Sequence, residues 1–227
     1  MSTTFDDHDP FANNIYEVLK SFIGEIGDRG CVAHFDKVVQ DKYRMKGRHL
    51  TQKPERFIEE HLVFPMLEKP LRHDVRPRPV QYAPRWPRKG GIPDFCLTTI
   101  SVETAMADEL RVFGEVKAPK KMDRARKDMR DYLNNDIDLD AITVLTDGFE
   151  WELWVRPQGE QIEEGDTPYA EASLRDPLKA IAARNMEVDT TTAYNVRDRI
   201  DSDAFSPFTA PSIRRILCEE LDATRLS

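Results

Sequence analysis

The sequence has little cysteine and no long apolar run, and each absence excludes a class of protein. Its three cysteines are widely spaced and odd in number, so neither a disulfide framework nor a zinc knuckle is indicated. No apolar stretch approaches the roughly 20 residues that cross a bilayer. The acidic N-terminus lacks the basic start and apolar middle of a signal peptide. We therefore expect a cytoplasmic protein with no membrane partner.

Negative charge outnumbers positive charge overall, but the positive charge is not evenly spread. The formal net charge of −8, taken alone, argues against a nucleic-acid partner. Residues 69–89, however, hold seven basic residues and one acidic residue, and residues 117–130 hold seven basic and two acidic residues. A local positive field can steer a polyanion into a cleft even when the whole protein is acidic. A nucleic-acid partner therefore remains compatible with the composition.

Two predicted strands, at residues 93–99 and 111–118, carry charges where a buried strand should be apolar. Alternate side chains of a strand share a face, so Glu115 and Lys117 point the same way. Asp94 follows a proline at the start of the preceding strand. Burying such charges is costly unless they are paired or bind a metal. We expect the functional site to lie here.

The remaining pattern predicts a mixed α/β (α+β) fold, with a mixed sheet core flanked by helices and with extra N- and C-terminal helices. Residues 1–50 are expected to form an N-terminal helical extension, 51–156 the core, and 157–227 a linker with C-terminal helices. The predicted helices lie at residues 11–26, 35–43, 54–64, 66–69, 120–135, 174–186, 193–200 and 211–222. Further strands are predicted near residues 80–83, at 141–145 and at 149–155, the last two joined by an Asp-Gly hairpin. Residues 103–109 are expected to form a loop or hairpin.

Three single residues carry packing predictions of their own. Trp151 alternates with the apolar residues of its strand and is expected in the core. Trp154 is on the opposite face, where it is expected at the surface or in an interface. Cys96 is expected to be a small buried apolar residue.

The charged strands and their surroundings resemble the PD-(D/E)xK nucleases. Pro93-Asp94, a spacer of 20 residues and Glu115-Val116-Lys117 match the signature of that superfamily. With Leu62-Val63-Phe64-Pro65-Met66-Leu67 upstream and the segment 145–154 downstream, the series is similar to the N-terminal nuclease domain of type I restriction enzyme motor subunits. The resemblance covers about residues 51–156 and implies a restriction-endonuclease-like fold.

The resemblance also implies roles for individual residues. Asp94, Glu115 and the backbone carbonyl of Val116 would bind Mg²⁺, for which Mn²⁺ can substitute. Lys117 would hold or deprotonate the attacking water. Glu55 matches the extra glutamate that assists the metal in many members of the superfamily, and Glu59 is the alternative.

DNA-binding residues are expected in both basic blocks. The candidates are Arg85, Arg88, Lys89, Lys120, Lys121, Arg124 and Tyr132. The alternative is that these basic residues are only solvated. Those in residues 69–89 would then lie in a proline-rich connector, and those in residues 120–130 on the exposed face of an amphipathic helix. The restriction motor subunits place a glutamine four residues before the tyrosine, where this chain has Asp128. Either Tyr132 acts alone or Arg124 or Lys121 takes over the polar role.

These residues predict a metal-dependent DNA endonuclease that hydrolyses phosphodiester bonds, related to restriction or defence. The phosphate loop Gly-x4-Gly-Lys-Ser/Thr of a motor is absent from the sequence, so translocation or target recognition would come from partner subunits or the flanking segments. A homodimer of the chain could cut both strands of a DNA duplex, one strand in each active site. The alternatives are a non-catalytic nucleic-acid-binding module and an assembly subunit that retains the nuclease fold.

Overall fold

The computed structural model describes residues 9–40, 42–79, 92–182 and 190–221. They contain a six-stranded mixed sheet flanked by helices, which is the predicted α/β architecture at the level of layers. The strands lie side by side in chain order: β1 (Val75–Pro77), β2 (Phe95–Leu97), β3 (Leu110–Val116), β4 (Asp140–Thr146), β5 (Glu150–Arg156) and β6 (Ala170–Ser173). Strands β3 and β4 are parallel, and the other neighbours are antiparallel.

Helices precede, interrupt and follow the sheet. They are α1 (Pro10–Asp28), α2 (Val32–Val39), α3 (Gly47–Leu50), α4 (Pro54–Ile58), α5 (Phe64–Glu68), α6 (Val102–Ala107), α7 (Met122–Leu133), α8 (Arg175–Ala182), α9 (Thr190–Arg197), α10 (Ser202–Phe205) and α11 (Ala210–Glu219). A π-helical turn, Glu59–Val63, joins α4 to α5, and a 3₁₀ turn, Ser206–Phe208, follows α10. In the described part of the chain, no helix is both long enough and apolar enough to cross a membrane.

Local sequence explains where two of these helices begin, and strand direction explains why a helix connects β3 to β4. Asp9 accepts a hydrogen bond from the backbone of Phe11, and Pro10 occupies the first turn of α1. Pro54 likewise starts α4. Helix α7 lies between the parallel strands β3 and β4, which need a crossover connection of this kind.

The two faces of the sheet pack against different helices. One face contributes side chains such as Phe95, Val112 and Trp151 to a large core with α1, α2, α5 and the C-terminal helices. The other face, with Cys96 and Phe113, packs on α7 and forms a smaller core. Residues from all three segments predicted above therefore share the large core.

Several local predictions are confirmed and others are wrong. Trp151 and Cys96 are buried, as predicted. Trp154 is buried as well, because α7 covers its face of the sheet, so a surface position is wrong. The loop or hairpin expected at 103–109 is largely helix α6, which Ser101 caps. The strand expected near residues 80–83 lies outside the described residues.

Candidate functional site

Strands β2 and β3 bring the predicted residues Asp94, Glu115 and Lys117 into one cluster. The antiparallel register that pairs Phe95 with Gly114 places Asp94, directly before β2, beside Glu115. The backbone N–H of the next residue on β3 donates to Asp94 Oδ2 at 2.9 Å. Lys117 follows β3, and its Nζ donates to Glu115 Oε2 at 2.7 Å. Strand alternation is the reason that these two side chains share a face.

Lys117 is held as a buried cation by carboxylates from three elements. Besides Glu115, its Nζ lies 3.3 Å from Asp128 Oδ2 on α7 and 4.0 Å from Glu55 Oε1 on α4. Burial alone would lower the pKa of Lys117, but the carboxylates of Glu115, Asp94 and Asp128 outweigh it and raise that pKa above its ordinary value. Lys117 therefore keeps its proton in the cluster.

Glu115 is, with Glu59, one of the two almost fully buried carboxylates of the cluster. Burial and then the negative charge of Asp94 raise its pKa to about 8, although Lys117 acts in the opposite direction. Its second oxygen, Oε1, is buried and has no hydrogen-bond partner among the described residues. A buried carboxylate oxygen without a donor is costly, and a cation would remove that cost.

A second buried carboxylate, Glu59, approaches the cluster from the π-helical turn. Its Oε2 accepts from Arg56 at 3.1 Å and from Arg78 at 3.2 Å, and Arg78 also pairs with Asp94. Burial raises the pKa of Glu59, and Arg78 partly offsets this effect. Glu55, in contrast, has a side chain that is 48% exposed and faces Lys117. Both glutamates considered as the helper residue thus lie beside the site, on different sides of it.

The structure describes four of the seven predicted DNA-binding residues. Arg85, Arg88 and Lys89 lie outside the described residues. Lys120 and Lys121 are exposed just before α7, and the Lys120 backbone donates to Asp147 Oδ2 at 2.7 Å. Arg124 is exposed on α7, where its Nε lies 3.8 Å from Asp128 Oδ2.

Tyr132 is half-buried on α7, and its electrostatic environment links it to the site. Burial, followed by the charge of Glu115, raises the pKa of its hydroxyl, with Asp128 acting in the same direction. The hydroxyl therefore stays protonated. A protonated hydroxyl can donate a hydrogen bond but adds no charge to the cluster.

Among the described residues, the cluster carries an excess of two negative charges when all its groups are ionised, and of one when Glu115 holds the proton that its raised pKa favours. Its five carboxylates are Glu55, Glu59, Asp94, Glu115 and Asp128, and its three cations are Arg56, Arg78 and Lys117. At the rim, Glu60 pairs with Arg56 and Arg124 with Asp128, which adds one charge of each sign. With all groups ionised, the excess equals the charge of one divalent cation.

The donor atoms fit Mg²⁺ rather than a transition metal that prefers nitrogen or sulfur. Among the described residues, no three or more His, Cys, Asp or Glu side chains are grouped as a metal site. The candidate ligands are instead two carboxylates, Asp94 and Glu115, and a backbone carbonyl. The backbone N–H of Val116 donates to Asp94. The N–H and C=O of one strand residue point toward the same neighbouring strand, so the Val116 carbonyl also points toward the side on which Asp94 lies. Mg²⁺ takes such a small oxygen set and completes its shell with water and substrate phosphate.

Three residues of the cluster, Arg56, Arg78 and Asp128, are not assigned to the site from sequence. Arg78 was noted within the first basic block, and Asp128 was noted only as a departure from the family's glutamine. Their contacts with Asp94 and Lys117 join elements that are separate in the chain. The one available signal was the spacing of Asp128 and Tyr132, which puts both on one side of α7.

Comparison of the chain with family models, with curated proteins and with solved structures found no match. What the site does is therefore inferred from its residues and their geometry.

Proposed function

We propose that the chain is a metal-dependent DNA endonuclease of the PD-(D/E)xK type with a restriction-endonuclease-like fold. The observation that carries the proposal is the meeting of Asp94, Glu115 and Lys117 at the adjacent ends of β2 and β3. In the described part of the chain, Glu115 Oε1 is buried without a hydrogen-bond donor and lies in a cluster with more acidic than basic groups, which supports a cation there. Perturbed buried carboxylates of this kind are typical of functional sites.

Asp94, Glu115 and the Val116 carbonyl would hold Mg²⁺ or Mn²⁺. The bound ion would lower the pKa of a water molecule and neutralise charge on the phosphate. Asp94 is oriented for this task because its Oδ2 accepts the Val116 N–H, which fixes the direction of Oδ1. Glu115 would give up its proton on binding the ion, because its pKa is about 8.

Lys117 is assigned to orienting the attacking water and to offsetting phosphate charge. Its raised pKa makes it a poor proton acceptor, so its positive charge, rather than a free electron pair, is what it offers. Glu55, at 4.0 Å from Lys117 and open to solvent, can assist by accepting a hydrogen bond from water.

The exposed cations before and on α7 would receive the DNA backbone. Lys121, directly before α7, and Arg124, on α7, are both exposed, and the same helix carries Asp128 and Tyr132, so a strand bound there would pass beside the cluster. Cleavage of both strands would require a homodimer or partner subunits, in a cytoplasmic restriction or defence system. Such contacts would weaken steeply with salt.

The test is cleavage of supercoiled plasmid in Mg²⁺ or Mn²⁺ by the wild type and by variants of the two proposed metal ligands. Asp94→Asn and Glu115→Gln should each lose cleavage and Mn²⁺ binding together. Glu103→Gln, which removes an exposed carboxylate on α6, is the matched control and should retain both. Cleavage that survives the double variant Asp94→Asn/Glu115→Gln would contradict the proposal.

A non-catalytic nucleic-acid-binding module is the second candidate. The contact that favours it is the Arg78 guanidinium, which already pairs with Asp94. DNA binding in a gel-shift assay without any Mn²⁺ binding would support this alternative.

A further inference from the structure

Arg78 joins two carboxylates that come from different elements. One terminal nitrogen pairs with Asp94 Oδ1 and lies 3.2 Å from the Asp94 backbone oxygen, and the other lies 3.2 Å from Glu59 Oε2. The Arg78 backbone N–H also donates to the Asp94 carbonyl at 2.9 Å. The planar guanidinium thus bridges the start of β2 and the π-helical turn. Its N–H donors have a fixed geometry that suits binding to two carboxylates at once.

The contact takes the Asp94 oxygen that a metal would need. Asp94 Oδ2 already accepts the Val116 N–H at 2.9 Å, so Oδ1 is the oxygen directed elsewhere. Arg78 occupies that oxygen. A divalent cation at Oδ1 would lie close to the guanidinium, and its double charge would be repelled more strongly than the single charges of Arg56 and Arg78, which share Glu59 Oε2.

We propose that Arg78 and a divalent cation compete for Asp94, so that the resting protein closes its own metal site with a guanidinium. The proposal deepens the proposed nuclease function and rests on it. Arg78 can leave, because its side chain is 45% exposed. A phosphate of bound DNA offers the released guanidinium a second acceptor.

Arg56 provides a matched control within the same cluster. Its side chain is 44% exposed and pairs with the same Glu59 oxygen at 3.1 Å. Its described ion pairs are to Glu59 and Glu60 and do not include Asp94. Neutralising Arg56 or Arg78 therefore changes the net charge equally, but the Arg78 variant alone frees Asp94 Oδ1.

The experiment is a calorimetric or paramagnetic titration of Mn²⁺ into full-length wild type, Arg78→Gln and Arg56→Gln at one pH and salt concentration. We expect Arg78→Gln to bind Mn²⁺ at least about fivefold more tightly than the wild type, the size of a typical coupling between two ligands. Arg56→Gln should stay within about twofold of the wild type, since a long-range charge alone has a small screened effect.

Equal or weaker Mn²⁺ binding by folded Arg78→Gln overturns the proposal. If Arg78→Gln does not fold, Arg78→Lys decides, because an ammonium keeps the charge but lacks the fork that spans both carboxylates. Arg78→Lys should bind Mn²⁺ more tightly than the wild type, and an unchanged Kd overturns the proposal. If neither the wild type nor the Arg78 variants bind Mn²⁺, the metal site of the proposed function is itself refuted.

Discussion

At the scale of single residues, the position of Lys117 depends on a helix as well as on its own strand. Asp128 Oδ2 on α7 lies 3.3 Å from Lys117 Nζ, which Glu115 Oε2 approaches at 2.7 Å. Arg124, one turn earlier on α7, contacts Asp128 in turn. We therefore expect Asp128 to be a positioning residue for Lys117, at the place where the resembling restriction subunits have a glutamine.

Replacing Asp128 by asparagine should slow cleavage without unfolding the protein. The half-exposed side chain contributes little to stability, but a displaced Lys117 should reduce kcat by about tenfold or more, with KM nearly unchanged. Asp128→Glu should recover part of the rate. Asp131→Asn, an exposed change on the same helix, is the control. Equal rates for Asp128→Asn and the wild type would rule out this role.

Residues within one strand could be predicted, whereas residues that meet across elements could not. Glu115 and Lys117 share a face by strand alternation, and a Pro-Asp pair marked Asp94, so all three were assigned from sequence. Arg78 and Asp128 reach the cluster only because the end of β1 and helix α7 pack where they do. No local pattern encodes such contacts.

At the scale of elements, Gly114 controls how closely β2 and β3 fit together. The ring of Phe95 lies directly over Gly114, where a Cβ would overlap it. Asp94 and Glu115 are the next residues on either strand, so this contact also sets the separation of the two carboxylates. A glycine inside a strand often marks such a close approach.

Gly114→Ala should therefore destabilise the protein by about 1–3 kcal/mol, the usual cost of overpacking. Adding Phe95→Leu should recover part of the loss, because leucine vacates the space above the new methyl group. Gly24→Ala in α1 is the control, since nothing lies within 4 Å of a Cβ there, and it should be neutral or stabilising by about 1 kcal/mol. Urea denaturation measures all four proteins, and an unchanged midpoint for Gly114→Ala would contradict the packing argument.

Long periodic elements were predicted well, and short ones were not. The helices over α1, α7 and α11 and the hairpin of β4 and β5 follow from apolar spacing and an Asp-Gly turn. The edge strands β1 and β6 have three and four residues and are partly exposed, so their pairing with a neighbour defines them rather than their own pattern. The π-helical turn that carries Glu59 has no signal in residue type.

At the scale of the whole molecule, a buried histidine ties the C-terminal helices to the sheet. His73, just before β1, makes a hydrogen bond of 2.7 Å between Nε2 and the Phe208 carbonyl and one of 3.2 Å between Nδ1 and Thr99 Oγ1. The Leu71 carbonyl accepts from the Ala210 backbone at 2.8 Å beside it. The C-terminal helices, which the sequence predicts as an addition to the core, are thus joined to it by contacts between residues more than 100 positions apart, which no local pattern reveals.

His73 should make stability depend on pH. Burial lowers the pKa of His73 below its ordinary 6.5, so the unfolded chain takes up a proton near pH 6.5 that the folded protein accepts only at lower pH. The contribution of His73 to the free energy of unfolding should therefore fall as the pH drops below about 6.5, until the lowered pKa is reached, whereas Glu115, with its raised pKa, contributes in the opposite direction in both proteins compared below. His73→Asn should show a smaller fall between pH 7.5 and 5.5 in urea denaturation. An identical fall in the two proteins would show that His73 is not the titrating group.

The most direct test of the whole account is the rate of plasmid cleavage by Lys117→Ala in Mg²⁺, compared with the wild type. This variant keeps Asp94 and Glu115, so Mn²⁺ binding should persist, and thermal denaturation should confirm that it is folded. The account predicts a wild-type rate that depends on the divalent ion and falls at least about 100-fold in Lys117→Ala, the usual loss when a charge-stabilising group is removed. Cleavage by Lys117→Ala at the wild-type rate, or no cleavage by the wild type under any divalent ion, would contradict it.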